Sequence, residues 1–471
     1  MQNKLTTILD SFNVYEVNRF KKYLLSPFFN EDHKLVDLFD ILILARKNSK
    51  KQIASKEEMW RKLGQKTVYK DVRFRRWCSD LTKLAMQFLA QERYQNAKMP
   101  EQQYLLEVVE TRNLEKFYHS SFRNAENTLL KQKHRDSVFY YHHFKLNEAQ
   151  QSIEFKTKGH SEQVSFDVLM RHLDAFYLAQ KLRAYCHWLN YRKVLRLEGA
   201  MEVPLMSELM EFIEENKSNQ VPIVAIYHQI ALTLLKGEEA EHYYKLKRLL
   251  EEHSHLFSAE EAMEMYGYAL NYCIRKINSS TEYLAEVFEL YQVTLKKEVI
   301  LNDGQLNHQH FKNVIAIGLR LKQFDWVMYF IEAYQSKLPE KVRDNAYRYN
   351  MAQVYFSKKE WGKVIELLQQ VEYDLVFYKL DSKALLLKTY YEQGEWMVLE
   401  SLIDSFQILL RRNKEVSKQQ RNTYLNLVKF VKRLSRLMPD DAERIKVLKQ
   451  KIESTHPVGD KGWLLEKLEE L

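Results

Sequence analysis

Three histidine pairs, three carboxylate pairs and three cysteines are the residues of this 471-residue chain whose types and spacing could do chemistry. The histidines are His142-His143, His253 with His255, and His308 with His310. Residues two apart on a helix point about 200° away from one another, so an H-x-H pair grips a single metal only in a turn. Metal ligand sets normally add carboxylate or cysteine partners, and the simpler assignment is surface or turn histidine. Glu214-Glu215, Glu238-Glu239 and Glu251-Glu252 sit in charged helix faces, without the apolar setting that tunes a catalytic acid. Cys78, Cys186 and Cys273 lie far apart, an odd number with no short spacing, which argues against a disulfide framework and against a zinc site. Neither phosphate-loop pattern, G-x-x-x-x-G-K-[ST] or G-x-G-x-x-G, occurs, and H-E-x-x-H, C-x-x-C and calcium-loop patterns are also missing. The expectation is a protein that is not an enzyme, with no catalytic residue, metal, cofactor or small-molecule substrate to assign.

Charge is more informative. The formal net charge is +9, and residues 1–95 hold 12 Lys and 7 Arg against 11 acids. Residues 46–83 alone hold 13 basic residues and 4 acidic ones, while the rest of the chain is nearly neutral. A clustered excess of this kind attracts phosphate or an acidic protein surface, whereas scattered lysines only aid solubility. The candidate patch is Lys50, Lys51, Lys70, Arg73, Arg76 and Lys83. Arg73, Arg76 and Lys83 fall on the helix face opposite Phe74, Trp77 and Leu81, and Lys50, Lys51 and Lys70 flank them. The alternative for any such run is a solvated surface.

The elements that hold these residues read as helices throughout. Gly (11) and Pro (7) are scarce, so the chain turns rarely. Hydrophobic residues (45%) are plentiful enough for an ordered protein, and 471 residues exceed one compact core. Asn13 with Glu16 and Ser55 with Glu58 are capping boxes that open helices, ended at Ser26-Pro27 and Gly64. A long helix is expected from about Lys70 to Gln91, with Phe74, Trp77, Leu81, Leu84 and Phe88 as its buried stripe. Pro204 and Pro222 mark helix starts, and Gly237, Ser258, Ser280, Gly304, Pro339, Gly394 and Pro439 mark breaks. The first residues, MQNKLTTILD, lack a signal peptide's apolar core, and the apolar run Leu38–Ala45 is far short of the roughly 20 residues of a membrane span. A cytoplasmic protein without membrane contact is expected.

The clearest internal signal lies between residues 313 and 410. Phe324, Trp361 and Trp396 recur at separations of 37 and 35 residues. Val327, Val364 and Leu399 follow them by three, and Tyr355 and Tyr390 precede the last two by six. A period near 34 indicates paired helices stacked side by side. Ala352, Tyr355 and Trp361, and Tyr390, Gly394 and Trp396 in YYEQGEW, resemble the tetratricopeptide repeat. Val364, Val371, Leu399 and Phe406 stand where that family usually places small alanines, which implies altered interhelix angles. Both tryptophans are expected in the repeat core. The stretches SKEEMWRKLG and DVRFRRWCSDLTKL resemble the DNA-binding helix-turn-helix of bacterial activators, but with a longer turn after Gly64 and no Gly-marked wing. SPFFN and LDAFYLAQKLR resemble an uncharacterised family of helical proteins from Bacteroidota.

The expected architecture is all-α: a basic helical N-terminal domain over 1–95, degenerate helical repeats over 96–312, and a tetratricopeptide-like α-α superhelix with capping helices over 313–471. The resemblance implies a protein-interaction scaffold whose partner is a protein or peptide. Tyr243, Tyr244, Tyr329, Tyr334 and Tyr373 are candidate anchors, with interhelix packing the expected role of most of them. The alternative is a transcriptional regulator that meets nucleic acid through residues 46–83.

Overall fold

Helix makes up 80% of the protein. The computed structural model describes residues 4–47, 55–65, 67–158, 166–195, 197, 203–215, 221–277, 280–371, 376–413 and 415–471. They divide into two compact units, residues 1–132 with 138–176, and residues 133–137 with 177–471.

The first unit is built from α1 (Lys4–Asp10), α2 (Val14–Leu25), α3 (His33–Lys47), α4 (Lys56–Lys62), α5 (Asp71–Asn96), α6 (Lys98–Thr111), α7 (Glu115–Leu130) and most of α8 (Ser137–Lys158). Both capping boxes are present, each with the reciprocal backbone bond to its glutamate. Gly64 leaves α4 at φ +70°, a conformation that favours glycine. Phe74, Trp77, Leu81, Ala85 and Phe88 form the buried stripe of α5; Leu84 is only half-buried, and Ala85 takes its place. Around Phe20 the rings of Phe12, Phe39 and Phe88 stand at centroid distances of 5.4, 5.1 and 5.2 Å. The first two pairs are edge-to-face, the arrangement a ring quadrupole favours. Arg46 donates to the carbonyls of Leu9 (2.8 Å) and Asp10 (2.9 Å) at the end of α1, where a helix leaves its carbonyls without partners.

The second unit begins within α9 (Asp167–Leu195) and continues through α10 (Met206–Glu215), α11 (Pro222–Leu235), α12 (Ala240–His253), α13 (Ala259–Lys276) and α14 (Glu282–Lys296). Every residue of α11 from Ile223 to Leu234 is buried, which marks a helix enclosed on all sides. One two-residue hairpin, β1 (Leu301–Asn302) and β2 (Gln305–Leu306), turns through Asp303-Gly304, both at positive φ, as a tight hairpin requires.

The repeat follows, in α15 (His308–Arg320), α16 (Phe324–Tyr334), α17 (Glu340–Ser357), α18 (Trp361–Gln369), α19 (Val376–Gln393) and α20 (Trp396–Arg412). Phe324, Trp361 and Trp396 are each the first residue of the second helix of a pair. Two residues before each, Lys322, Lys359 and Gly394 sit in the left-handed region at φ 56°, 61° and 71°. The next amide then reaches five residues back: Gln323 to Gly318 (2.9 Å), Glu360 to Tyr355 (2.9 Å) and Glu395 to Tyr390 (3.0 Å). This is a Schellman turn made three times at one offset. At the position held by Tyr355 and Tyr390, the first pair has Gly318, where a Cβ would lie 2.4 Å from Val327 Cγ2.

The expected burial of both tryptophans is corrected here. Trp396 is 49% exposed and Trp361 is half-buried. Side chains on a helix lean toward its N-terminus, so a residue in the first position leans out over the turn and not into the layer. Trp361 and Trp396 accordingly lie edge-on to Phe356 (5.1 Å) and Tyr391 (5.6 Å) of the preceding helix. The buried positions are Val327, Val364 and Leu399, one turn further in. Alternate helices also touch: α15 with α17, α17 with α19, and α19 with α21 (Lys418–Leu434). The chain ends in α22 (Ala442–Ser454) and α23 (Lys461–Glu469). Leu464 and Leu468 of α23 enter the core beside the buried ion pair Lys467–Glu392 (3.1 Å).

Candidate functional site

Arg73, Arg76 and Lys83 are exposed on α5 and Lys70 is exposed at its N-cap, while Lys50 and Lys51 lie outside the described residues. Arg73, Arg76 and Lys83 share one face, and ten residues of helix place the outer two about 15 Å apart. Acids interrupt the stripe. Arg76 faces Asp80 at 3.8 Å, and Asp71 binds Arg75 at 2.7 Å and Lys56 at 3.6 Å. Arg73 and Lys34 lie over the Trp77 ring, at 5.1 and 5.4 Å from its centroid, so part of their charge is directed at an aromatic face.

Surface depressions lie on both units. On the first unit a hollow of about 530 Å³ is lined by Tyr23, Phe28, Phe29, Gln87, Gln91 and Tyr94. Tyr23 and Phe29 stack at 4.1 Å, while Phe28 of the SPFFN turn is 86% exposed. On the second unit a groove of about 360 Å³ runs between the end of α21 and α22. Arginines 433, 436 and 444 and Lys451 rim it, and Leu437, Val447 and Leu448 form its floor.

A buried polar cluster escaped the sequence reading. Arg183 on α9 holds Glu264 on α13 through Nε (3.3 Å) and Nη2 (2.5 Å). His187 meets the same carboxylate at 3.1 Å. The Tyr227 hydroxyl, from α11, lies 3.4 Å from both Glu261 and Glu264. Burial pushes the Glu261 carboxyl up to about 7, against the pull of Arg183, and the charges of Asp136 and Glu264 add to the rise. Glu261, which is in none of the three carboxylate pairs, thus has the buried setting that those pairs were expected to lack. Its sequence signal points elsewhere, because Ser258-x-x-Glu261 reads as a capping box on a solvated helix end. Ser258 does accept from the Glu261 amide (3.2 Å), but the glutamate side chain turns inward to Tyr227. The cluster joins three helices, with Glu261 and Tyr227 buried and Arg183 and His187 reaching the surface, which makes it a structural junction.

The other sequence candidates separate. Histidine 142 is buried, contrary to its assignment as surface or turn. His143 stacks on His172 at 4.5 Å. No group of three or more His, Cys, Asp or Glu among the described residues is placed to hold a metal ion. Burial raises the thiols of Cys78, Cys186 and Cys273, the last to about 12, which suppresses the thiolate. Tyr243 is not an exposed anchor: it is buried against Tyr272, with ring planes 6° apart, and donates to Glu286 at 2.6 Å. Tyr244 and Tyr334 are half-buried, and Tyr329 is 69% exposed. Tyr373 lies outside the described residues.

No helix among the described residues is long and apolar enough to cross a membrane. The chain matches no protein-family model, and no curated protein or solved structure is significantly similar to it.

Proposed function

We propose that this protein is a cytoplasmic interaction scaffold in which paired helices stack as a tetratricopeptide-like array and present their surface to a protein or peptide partner. The observation that carries this reading is the turn repeated at Lys322, Lys359 and Gly394, which sets three helix pairs at one offset. Such pairs bury their apolar faces on their neighbours and leave a continuous outer surface for a ligand. Tyr329, Trp396, Met397 and Val398 put exposed apolar area on that part of the chain. Large exposed side chains of this kind supply most of the binding energy at protein interfaces.

A second reading, a nucleic-acid-binding regulator, is favoured by one observation: Arg73, Arg76 and Lys83 share an exposed face of α5. Its weakness is that acids answer much of the charge around that face. One experiment separates the two. Duplex DNA is titrated with the full chain at about 50 mM salt, where non-specific electrostatic affinity is strong. The scaffold reading expects no measurable binding, together with a protein partner that rebinds in stoichiometric amount when both are purified. Duplex binding that weakens for all sequences in the Arg73→Ala, Arg76→Ala, Lys83→Ala variant, with a salt slope flattened by up to about 3 contacts, would replace it.

A further inference from the structure

We infer that the groove between α21 and α22 is the docking site for an acidic segment of a partner protein, one that carries a bulky apolar anchor residue. The inference rests on the scaffold reading and names the chemistry of the ligand.

Charge complementarity selects the occupant. Four cations, Arg433, Arg436, Arg444 and Lys451, line the groove against one carboxylate, Glu443. Three of the four are arginines, whose planar forks bind carboxylates two bonds at a time. Their partners within the chain are weak. Arg436 stands 3.7 Å from Glu400 with both side chains 65% exposed, and Arg444 stands 3.5 Å from Asp441 with its own side chain 74% exposed. Exposed pairs of this kind contribute little and exchange readily for a better one.

The floor decides between kinds of anion. Leu448 faces the core, but Val447, its neighbour in sequence, is 53% exposed. Arg444, Val447 and Lys451 fall at i, i+3 and i+7, so α22 offers one face that is cationic at both ends and apolar between. Arg433 in the last turn of α21, with Arg436 and Leu437 in the chain just past its end, forms the other wall. A phosphate backbone has charge for the rim and nothing for the floor. A peptide with carboxylates on either side of a leucine or aromatic residue fills both. Rim arginines around a partly desolvated apolar pocket are also the usual composition of an interface hot spot.

The test is selection of a phage-displayed random peptide library on the full chain, followed by affinity measurement of the enriched peptides. The expected peptides combine at least two acidic residues with a bulky apolar one. Their affinity should fall more than tenfold on R436E/R444E, and independently on Val447→Asp. It should fall as much when the apolar anchor of the peptide is replaced by serine. All three substituted positions are exposed, so an unchanged melting temperature checks the fold of each variant. Enriched peptides without acidic residues overturn the inference, as does binding that both variants retain. Equal competition by polyphosphate or by anionic lipid vesicles would also overturn it, because a floor that contributes nothing marks a generic anion surface. A purified partner that still binds R436E/R444E with full affinity refutes this groove and leaves the scaffold reading standing. Failure of the scaffold reading shows instead as the absence of any protein partner together with duplex binding.

Discussion

Replacing Glu261 by glutamine should make the protein more stable at pH 8 and much less so at pH 5. The carboxyl is held up to about 7, against an ordinary value of 4.5, chiefly because α9, α11 and α13 enclose it. Between those two pH values the unfolded chain has released the proton and the folded chain has kept it. The folded state therefore binds more protons, and stability falls as pH rises through the window. Each pH unit is worth about 1.36 kcal/mol per proton, so the full window amounts to about 3 kcal/mol. Residual solvent contact at Glu261 and its neighbour Arg183 reduce this, and a measured effect of about 1–3 kcal/mol is expected. Glutamine keeps the shape and an acceptor for the Tyr227 hydroxyl, and has no proton to lose. Urea denaturation of both proteins at pH 5, 6, 7 and 8 reads the difference directly. The gap between variant and wild type should open from about a quarter of its full size at pH 5 to nearly all of it at pH 8. Protection from hydrogen exchange along α13 should weaken between pH 5 and pH 7 in the wild type alone. Parallel pH profiles for the two proteins would refute the reasoning, since they would mean that Glu261 ionises in the folded state as easily as in the unfolded chain.

Three further outcomes follow from the packing. Leu399→Ala removes a side chain only 1% exposed and should cost about 2–5 kcal/mol, whereas Trp396→Ala, at a side chain 49% exposed, should cost about 2 kcal/mol or less; thermal melts of the two variants check the order. Gly318→Ala places a Cβ against Val327 and should cost about 1–3 kcal/mol net of the helix propensity that alanine gains, with increased exchange in α15 and α16 as the local readout. Because stacked helix pairs couple mainly to their neighbours, the damage in Leu399→Ala should appear in α19 to α21 and spare α11 to α13, which residue-resolved hydrogen exchange would show.

Much of the secondary structure was legible in the sequence, since its causes are local. Asn13 with Glu16 and Ser55 with Glu58 start helices by supplying oxygens to orphan amides within three residues. The recurrence of Phe324, Trp361 and Trp396 marked three equivalent positions, because a turn with one geometry fixes the spacing of the side chain that covers it. The period of α5 placed Arg73, Arg76 and Lys83 opposite its buried stripe in the same way.

Burial and partnership were decided only by the tertiary structure. Trp361 and Trp396 look like core residues by type, yet the direction of a side chain at the first position of a helix puts them over the turn. Tyr243 looks like a surface anchor, yet the distant Tyr272 and Glu286 enclose it. The division between the two units falls inside α9, at Phe176 and Tyr177, where no glycine, proline or change of charge announces it. The pair Arg183 and Glu264 is 81 residues apart in sequence, and Glu261 gains its raised acidity only when three helices converge on it. A sequence fixes what each residue can offer along its own helix, whereas an acid deprived of water, or a ring of arginines around an apolar floor, exists only where separate helices meet.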